Sequence, residues 1–165
     1  MIEPHTKMEI LLARIAVALI VGLAVAGVLW YGLCTEVLGR IWRNIVARPG
    51  GPMTFRFVLQ PVMAAVAALR DGAADVRLGR TPYLSAILFG AERRGSRLWE
   101  GIVSTARILI LGVVMDVVYQ LTFSGEFFPA EAAIIAILLA FVPYALLRDP
   151  FGRLARHWIA RPASS

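Results

Sequence analysis

The sequence predicts an all-α membrane protein: three transmembrane helices, comprising one N-terminal anchor plus an antiparallel hairpin, with amphipathic interfacial helices between and after them. Three observations carry this expectation. Of 165 residues, 59% are hydrophobic and only 17% charged, against about half and a quarter in soluble domains. Mean hydropathy is +0.72. Long uncharged runs are separated by arginine-rich segments, the pattern that positions helices across a bilayer.

Residues 1–35 hold an N-terminal flank and the first span, about 15–35. That run of 21 residues carries no charge and measures roughly 31 Å as a helix, enough to cross the hydrocarbon core. Trp30 and Tyr31 sit near one end as interface anchors. Ala24-Val25-Ala26 resembles a signal-peptide cleavage site, but the apolar run continues to Leu33 and Glu3 and Glu9 precede it. An uncleaved anchor is therefore expected. Ala18, Gly22 and Ala26 recur every four residues, a spacing that lets helix backbones approach closely. Cys34 is the only cysteine and is expected as a small buried thiol.

Residues 36–107 form a basic cytoplasmic segment with amphipathic helices. Val62, Val66, Leu69, Ala73 and Val76 recur at steps of four and three, which places them on one helical stripe. Pro61 is expected to open this helix and Gly79 to end it. The helix is expected to lie on the membrane or against the hairpin, with Asp71 and Asp75 on a solvated face. A fourth span over 57–69 is the alternative, but this run has only 13 residues, contains Gln60-Pro61, and would leave Arg40, Arg43 and Arg48 outside.

Residues 108–147 form the hairpin, with spans at about 108–127 and 132–147. Gly125 and Pro129 mark the turn between them. Pro143 frees a backbone carbonyl in the last span. The segment 36–107 carries eleven arginines, the tail 148–165 four, and the turn none. Arginine-rich loops stay cytoplasmic. The expected orientation therefore has the N-terminus outside and the C-terminus cytoplasmic.

The tail 148–165 reads as a basic amphipathic helix and echoes an earlier segment. Residues 40–49 read R-I-W-R-N-I-V-A-R-P and residues 153–162 read R-L-A-R-H-W-I-A-R-P. Arg40, Trp42, Arg43 and Arg48 in the first copy, and Arg153, Arg156, Trp158 and Arg161 in the second, are the expected lipid-interface residues, with tryptophan at headgroup level and arginine on lipid phosphates.

Asp116 stands in the second span, with Gly112 one turn before it and Tyr119 and Gln120 one turn after. These share a helix face: Asp116, Tyr119 and Gln120 form an intramembrane polar face, and Gly112 a packing position. Intramembrane carboxylates face protein or water. Three options stay open: Asp116 remains protonated, or it shares hydrogen bonds with Tyr119, Gln120 or Tyr144, or it meets a cation from another chain.

Composition excludes several classes. One cysteine rules out an internal disulfide and a cysteine metal site. His5 and His157 form no paired ligand motif, and no phosphate-cradling glycine loop is present. No catalytic residue, metal or cofactor is expected. The net charge of +6 is carried almost wholly by arginine, Lys7 being the only lysine. In this apolar chain it points to lipids, chiefly anionic, and not to nucleic acid. The expected role is a non-catalytic accessory, scaffold or assembly subunit packed against another membrane protein or a second copy of itself. The alternative is an oligomeric transport or proton- or ion-conducting unit built on the Asp116 face.

The strings R-I-W-R-N-I-V-A-R-P-G-G-P-M-T-F-R-F-V-L-Q-P (40–61), D-G-A-A-D-V-R-L-G-R-T-P-Y (71–83), V-M-D-V-V-Y-Q-L (114–121) and V-P-Y-A-L-L-R (142–148) resemble a group of uncharacterised small integral membrane proteins of proteobacteria. The resemblance covers most of residues 40–150. It implies a bacterial inner-membrane location and no chemistry.

Overall fold

Thr6 opens the first helix. Its hydroxyl accepts from the Glu9 amide while the Glu9 carboxylate accepts from the Thr6 amide, at 3.3 and 3.0 Å, a reciprocal cap that satisfies two of the donors a helix start leaves free. Helix α1 then runs Lys7–Tyr31 and stops at Gly32, whose φ of +73° a side chain would strain. A short amphipathic helix, α2 (Thr35–Ala47), follows. Next come α3 (Arg56–Arg77), the roughly two-turn α4 (Tyr83–Phe89) and α5 (Arg94–Tyr119). A wider turn at Gln120–Ser124 closes α5. Gly125, at φ +69°, reverses the chain, and Pro129 begins α6 (Pro129–Ala136). After a second wide segment, Ile137–Phe141, α7 (Val142–Ile159) completes the fold. The coordinates are a computed structural model that describes residues 6–32, 34–47, 50, 53–90 and 94–159, with the side chains of 124, 158 and 159 left out.

The described residues are helical and contain no strand. They include four helices long and apolar enough to cross a membrane: Lys7–Tyr31, Arg56–Arg77, Arg94–Phe123 and Pro129–His157. The sequence reading expected three. The additional one is α3, whose apolar run looked too short because Arg56 and Gln60 interrupt it. Both are buried, so they extend the helix inside the protein and do not end it at water. Pro61 lies within α3, and the helix opens five residues earlier, at Arg56. Gly79, at φ +62°, follows its end as expected.

Successive long helices alternate in direction. The Tyr31 hydroxyl donates to the Phe127 carbonyl at 2.9 Å, so α1 stops where the hairpin turns, and α3 starts there. At the far end α1 begins beside Arg70 and Arg107, and α7 carries Arg148 against Asp75 of α3. The start of α1 and the end of α7 therefore share one end of the bundle. The expected placement of the two termini on opposite sides does not match this packing.

The faces are distributed inside out. On α3 the expected apolar stripe points outward: Val62, Val66 and Leu69 are exposed, while Arg56, Gln60, Ala64, Ala68, Gly72 and Asp75 face inward. Gly72 is the closest approach, because a Cβ there would run into the backbone of Arg148 and Gly152 on α7. The α1 packing face is also offset from expectation. Ala13, Ala16 and Gly27 are buried, whereas Ala18 and Gly22 are exposed, Gly22 has open space around it, and Ala26 is only partly covered. Gly112 does pack as expected, against Ala136.

The hairpin forms as expected, but its helices run on past the expected bounds. The tail is not a separate interfacial helix: α7 continues unbroken through Pro150 to Ile159. The wide segment Ile137–Phe141 ends two residues before Pro143, which lacks an N–H for a regular helical bond, and a local change of helix type absorbs such a gap. Cys34 is exposed, against the expected buried thiol.

Candidate functional site

Two ionic clusters stand out, one toward each end of the bundle. At the turn end, Gly112 of α5 packs against Ala136 of α6 and leaves room for Gln60 of α3 to come close to α5. This lets the polar side chains of α3 and α5 meet one turn further along. Arg56 lies 2.9 Å from Asp116, with side chains 1% and 0% exposed. The guanidinium also sits over the Tyr119 ring, 4.8 Å from its centroid. Gln120 donates to the other Asp116 oxygen at 2.6 Å and to the Phe128 carbonyl at 3.2 Å, and its own carbonyl accepts from the Phe128 amide at 2.5 Å. The pair is thereby tied to the hairpin turn. Beside it Arg40 of α2 stacks on Phe128 and Tyr31, at 4.2 and 4.8 Å, and Asn44 donates to the buried Glu131 at 2.9 Å.

Asp116, Tyr119 and Gln120 all come together around Arg56 and the hairpin turn, and Gln120 is one of the partners weighed for Asp116. The others differ. Tyr144 does not reach Asp116: its hydroxyl donates to Asp71 at 2.6 Å, at the far end. The cation comes from Arg56 of the same chain and not from another. Sequence reasoning missed Arg56 because it was counted as a loop charge. The signal was present as Arg56 and Gln60, spaced one helical turn apart at the start of an apolar run.

At the far end three guanidiniums enclose two carboxylates. Asp75 receives Arg148 at 2.8 Å, Arg97 at 3.1 Å and Arg80 at 3.5 Å. Glu100 receives Arg148 at 2.6 Å and both Arg80 and Arg97 at 3.0 Å. Arg97 also donates to the Thr81 carbonyl, and Arg148 to the Tyr144 hydroxyl. Asp149 accepts from the amides of Tyr83 and Leu84 and so anchors the start of α4. Asp71 and Asp75, expected on a solvated face, belong to this network instead. Burial pushes the Tyr83 phenol up to about 12, with Arg148 pulling the other way.

The expected lipid-interface residues are not gathered in one place. Trp42, Arg43, Arg153 and Arg156 are exposed, and Arg40 is partly covered by its ring contacts. Arg48, Arg161 and the side chain of Trp158 lie outside the described residues. Among the described residues no three His, Cys, Asp or Glu side chains converge as a metal site would require.

Chemically, both clusters pair fixed charges. They suit holding helices in register, because breaking a buried pair costs about 3–5 kcal/mol. An all-helical chain with four long apolar helices and buried charge clusters is compatible with a membrane protein. Comparison with protein-family models, with curated proteins and with solved structures finds no match to this chain.

Proposed function

We propose that this chain is a multi-pass protein of a bacterial inner membrane that acts as a non-catalytic accessory, scaffold or assembly subunit. The observation that carries this reading is Asp116: fully buried, it is paired with Arg56 and Gln120 of its own chain. A carboxylate so engaged serves packing. A conducting path needs several polar groups open to water, and the internal pairing weighs against the transport alternative. What remains for partners is the outer surface, where α1 presents Leu11, Ile15, Leu19, Val21 and Val25. The partners this surface suits are lipid and another membrane protein or a second copy.

The packing favours four crossings over three. With α1, α3, α5 and α6–α7 alternating in direction, both termini fall on one side. That side carries Lys7, Arg70, Arg77, Arg80, Arg94, Arg97, Arg107, Arg148, Arg153 and Arg156, whereas the turn end carries Arg40, Arg43 and Arg56. The positive-inside preference then makes both termini cytoplasmic. Helix α2 sits at the periplasmic surface in this reading, its exposed Leu38, Trp42 and Val46 turned to the bilayer edge. Contact with anionic lipid of the inner leaflet is left to Arg153 and Arg156.

The native Cys34 tests the orientation without any substitution, since it is exposed at the turn end. A membrane-impermeant maleimide should label it in intact cells; labelling only after permeabilisation would return the segment to the cytoplasm. The role is tested by purification at native expression in mild detergent. A stoichiometric co-purifying membrane protein or a self-oligomer is the expected result. Cation or proton flux from the purified chain in liposomes, abolished by Asp116→Asn while assembly persists, would replace the scaffold reading with transport.

A further inference from the structure

A cleft of about 330 Å³ opens at the far end between the first turns of α1 and the facing sides of α3 and α5. That is room for roughly ten waters. Its floor is apolar, including Leu12 and Ala67, and its rim carries Arg70, Arg107, Glu9 and Asp71. The two arginines differ from the guanidiniums of the buried clusters. Arg70 and Arg107 are exposed, and neither has a hydrogen-bond or ion-pair partner among the described residues. The carboxylates are held in place: Glu9 by the cap on Thr6, Asp71 by the Tyr144 hydroxyl.

The position of the cleft along the bundle is informative. Arg70 ends the uncharged run of α3, and Arg107 immediately precedes the uncharged run of α5. Both therefore stand where apolar helix gives way to charge, the level at which lipid phosphates lie. Two unpaired guanidiniums there suit a phosphodiester. An anionic headgroup would also place its negative charge beside Glu9 and Asp71. A headgroup carrying both a phosphodiester and a primary ammonium meets both signs of the rim.

We propose that this cleft binds the headgroup of a zwitterionic phospholipid with a primary amine, of the phosphatidylethanolamine type. The phosphodiester lies between Arg70 and Arg107, and the ammonium turns toward Glu9 and Asp71. The proposal rests on the membrane reading above and adds to it a defined site and headgroup.

The test is native mass spectrometry of the full chain in detergent micelles containing equimolar phosphatidylethanolamine, phosphatidylcholine and phosphatidylglycerol with identical acyl chains. Preferential retention of phosphatidylethanolamine is expected. R70Q/R107Q should weaken retention of all three lipids, which share the phosphodiester, each guanidinium contributing about fivefold, with helical content unchanged because among the described residues neither side chain has a partner to lose. Glu9→Gln preserves the helix cap, since Gln serves equally at that position, and should narrow the preference for the ethanolamine lipid over the choline lipid, whose trimethylammonium donates no hydrogen bond, Asp71 keeping the rest. Preference for phosphatidylglycerol, parity in the unmodified protein, or lipid retention left unchanged by R70Q/R107Q would each overturn the site. Displacement of the lipid by free glycerophosphoethanolamine at equal concentration would reassign the cleft to a soluble ester. A chain that stays monomeric without detergent and carries no lipid at all would instead defeat the membrane reading itself.

Discussion

Asp116→Asn is the sharpest probe of the turn-end cluster. The substitution keeps the shape of the side chain and its capacity to accept from Gln120, but removes the charge facing Arg56. At 2.9 Å and an effective dielectric of about 20, the lost attraction is about 6 kcal/mol. Relaxation and residual hydrogen bonding reduce this, and measured costs of breaking one side of a buried pair are about 3–5 kcal/mol. Arg56→Met should cost a similar amount, leaving the carboxylate stranded. Asp116→Leu with Arg56→Met removes both charges and should recover most of the loss, to within about 2 kcal/mol, because a buried pair is readily replaced by apolar packing. The assay is reversible unfolding in mixed micelles, followed by far-ultraviolet circular dichroism. A double variant whose loss equals the sum of the separate Asp116→Leu and Arg56→Met losses would refute pairing between these residues, as would an Asp116→Asn protein with an unchanged midpoint.

Further outcomes follow from the same geometry. Gly72→Ala places a methyl against the α7 backbone and should lower stability by about 1–3 kcal/mol, read as a thermal shift in detergent, whereas Gly22→Ala, with open space around it, should leave the midpoint unchanged. Asp75→Asn removes one of the two carboxylates that Arg97 and Arg148 share, Glu100 keeping the other, and should destabilise by about 1–3 kcal/mol in the same measurement. The Tyr83 phenol is neutral in the fold up to about pH 12 but ionises near 10 in the unfolded chain. Stability is therefore fully present below pH 10 and falls between pH 10 and 12, by about 3 kcal/mol at most. Tyr83→Phe should abolish that limb in a pH series of unfolding curves. It should cost little at neutral pH, since among the described residues the buried hydroxyl has no hydrogen-bond partner.

Much of this architecture was readable in the chain. The uncharged run after Arg14, the Gly125 and Pro129 punctuation of the hairpin and the shared face of Gly112, Asp116 and Gln120 each follow from local rules of length, turn chemistry and helical period. The failures have one cause. Charges were read as solvent markers, so Arg56 was counted with a basic loop, Asp75 lay on a wet face and Arg148 began a tail. In the fold all three are buried, because a charge with a partner on another helix no longer needs water. Pairing between positions 60 or 73 residues apart in sequence, as in Arg56 with Asp116 or Asp75 with Arg148, leaves no periodic signature. The faces of α3 are reversed relative to a soluble helix: its apolar stripe, expected on the membrane or against the hairpin, points outward, while its small and polar residues do the packing.

That reversal bears on how the bundle is held together. If its outer surface faces hydrocarbon, burial of apolar side chains provides little drive between helices. Association then depends on close backbone contact and on polar pairs, and the fold supplies both where helices cross. Gly72 meets Gly152 beside the Asp75–Arg148 pair, and Gly112 meets Ala136 one turn from Arg56–Asp116. Each cluster joins elements distant in sequence: the turn-end cluster links α3, α5 and the hairpin turn, and the far-end cluster links α3, α5 and α7. A one-turn slip of α3 would separate both sets of charges at once. The clusters therefore fix the register of a helix whose apolar face alone would tolerate sliding. A block held in this way suits a part that presents a constant surface to a neighbour better than one that must open and close around a moving ion.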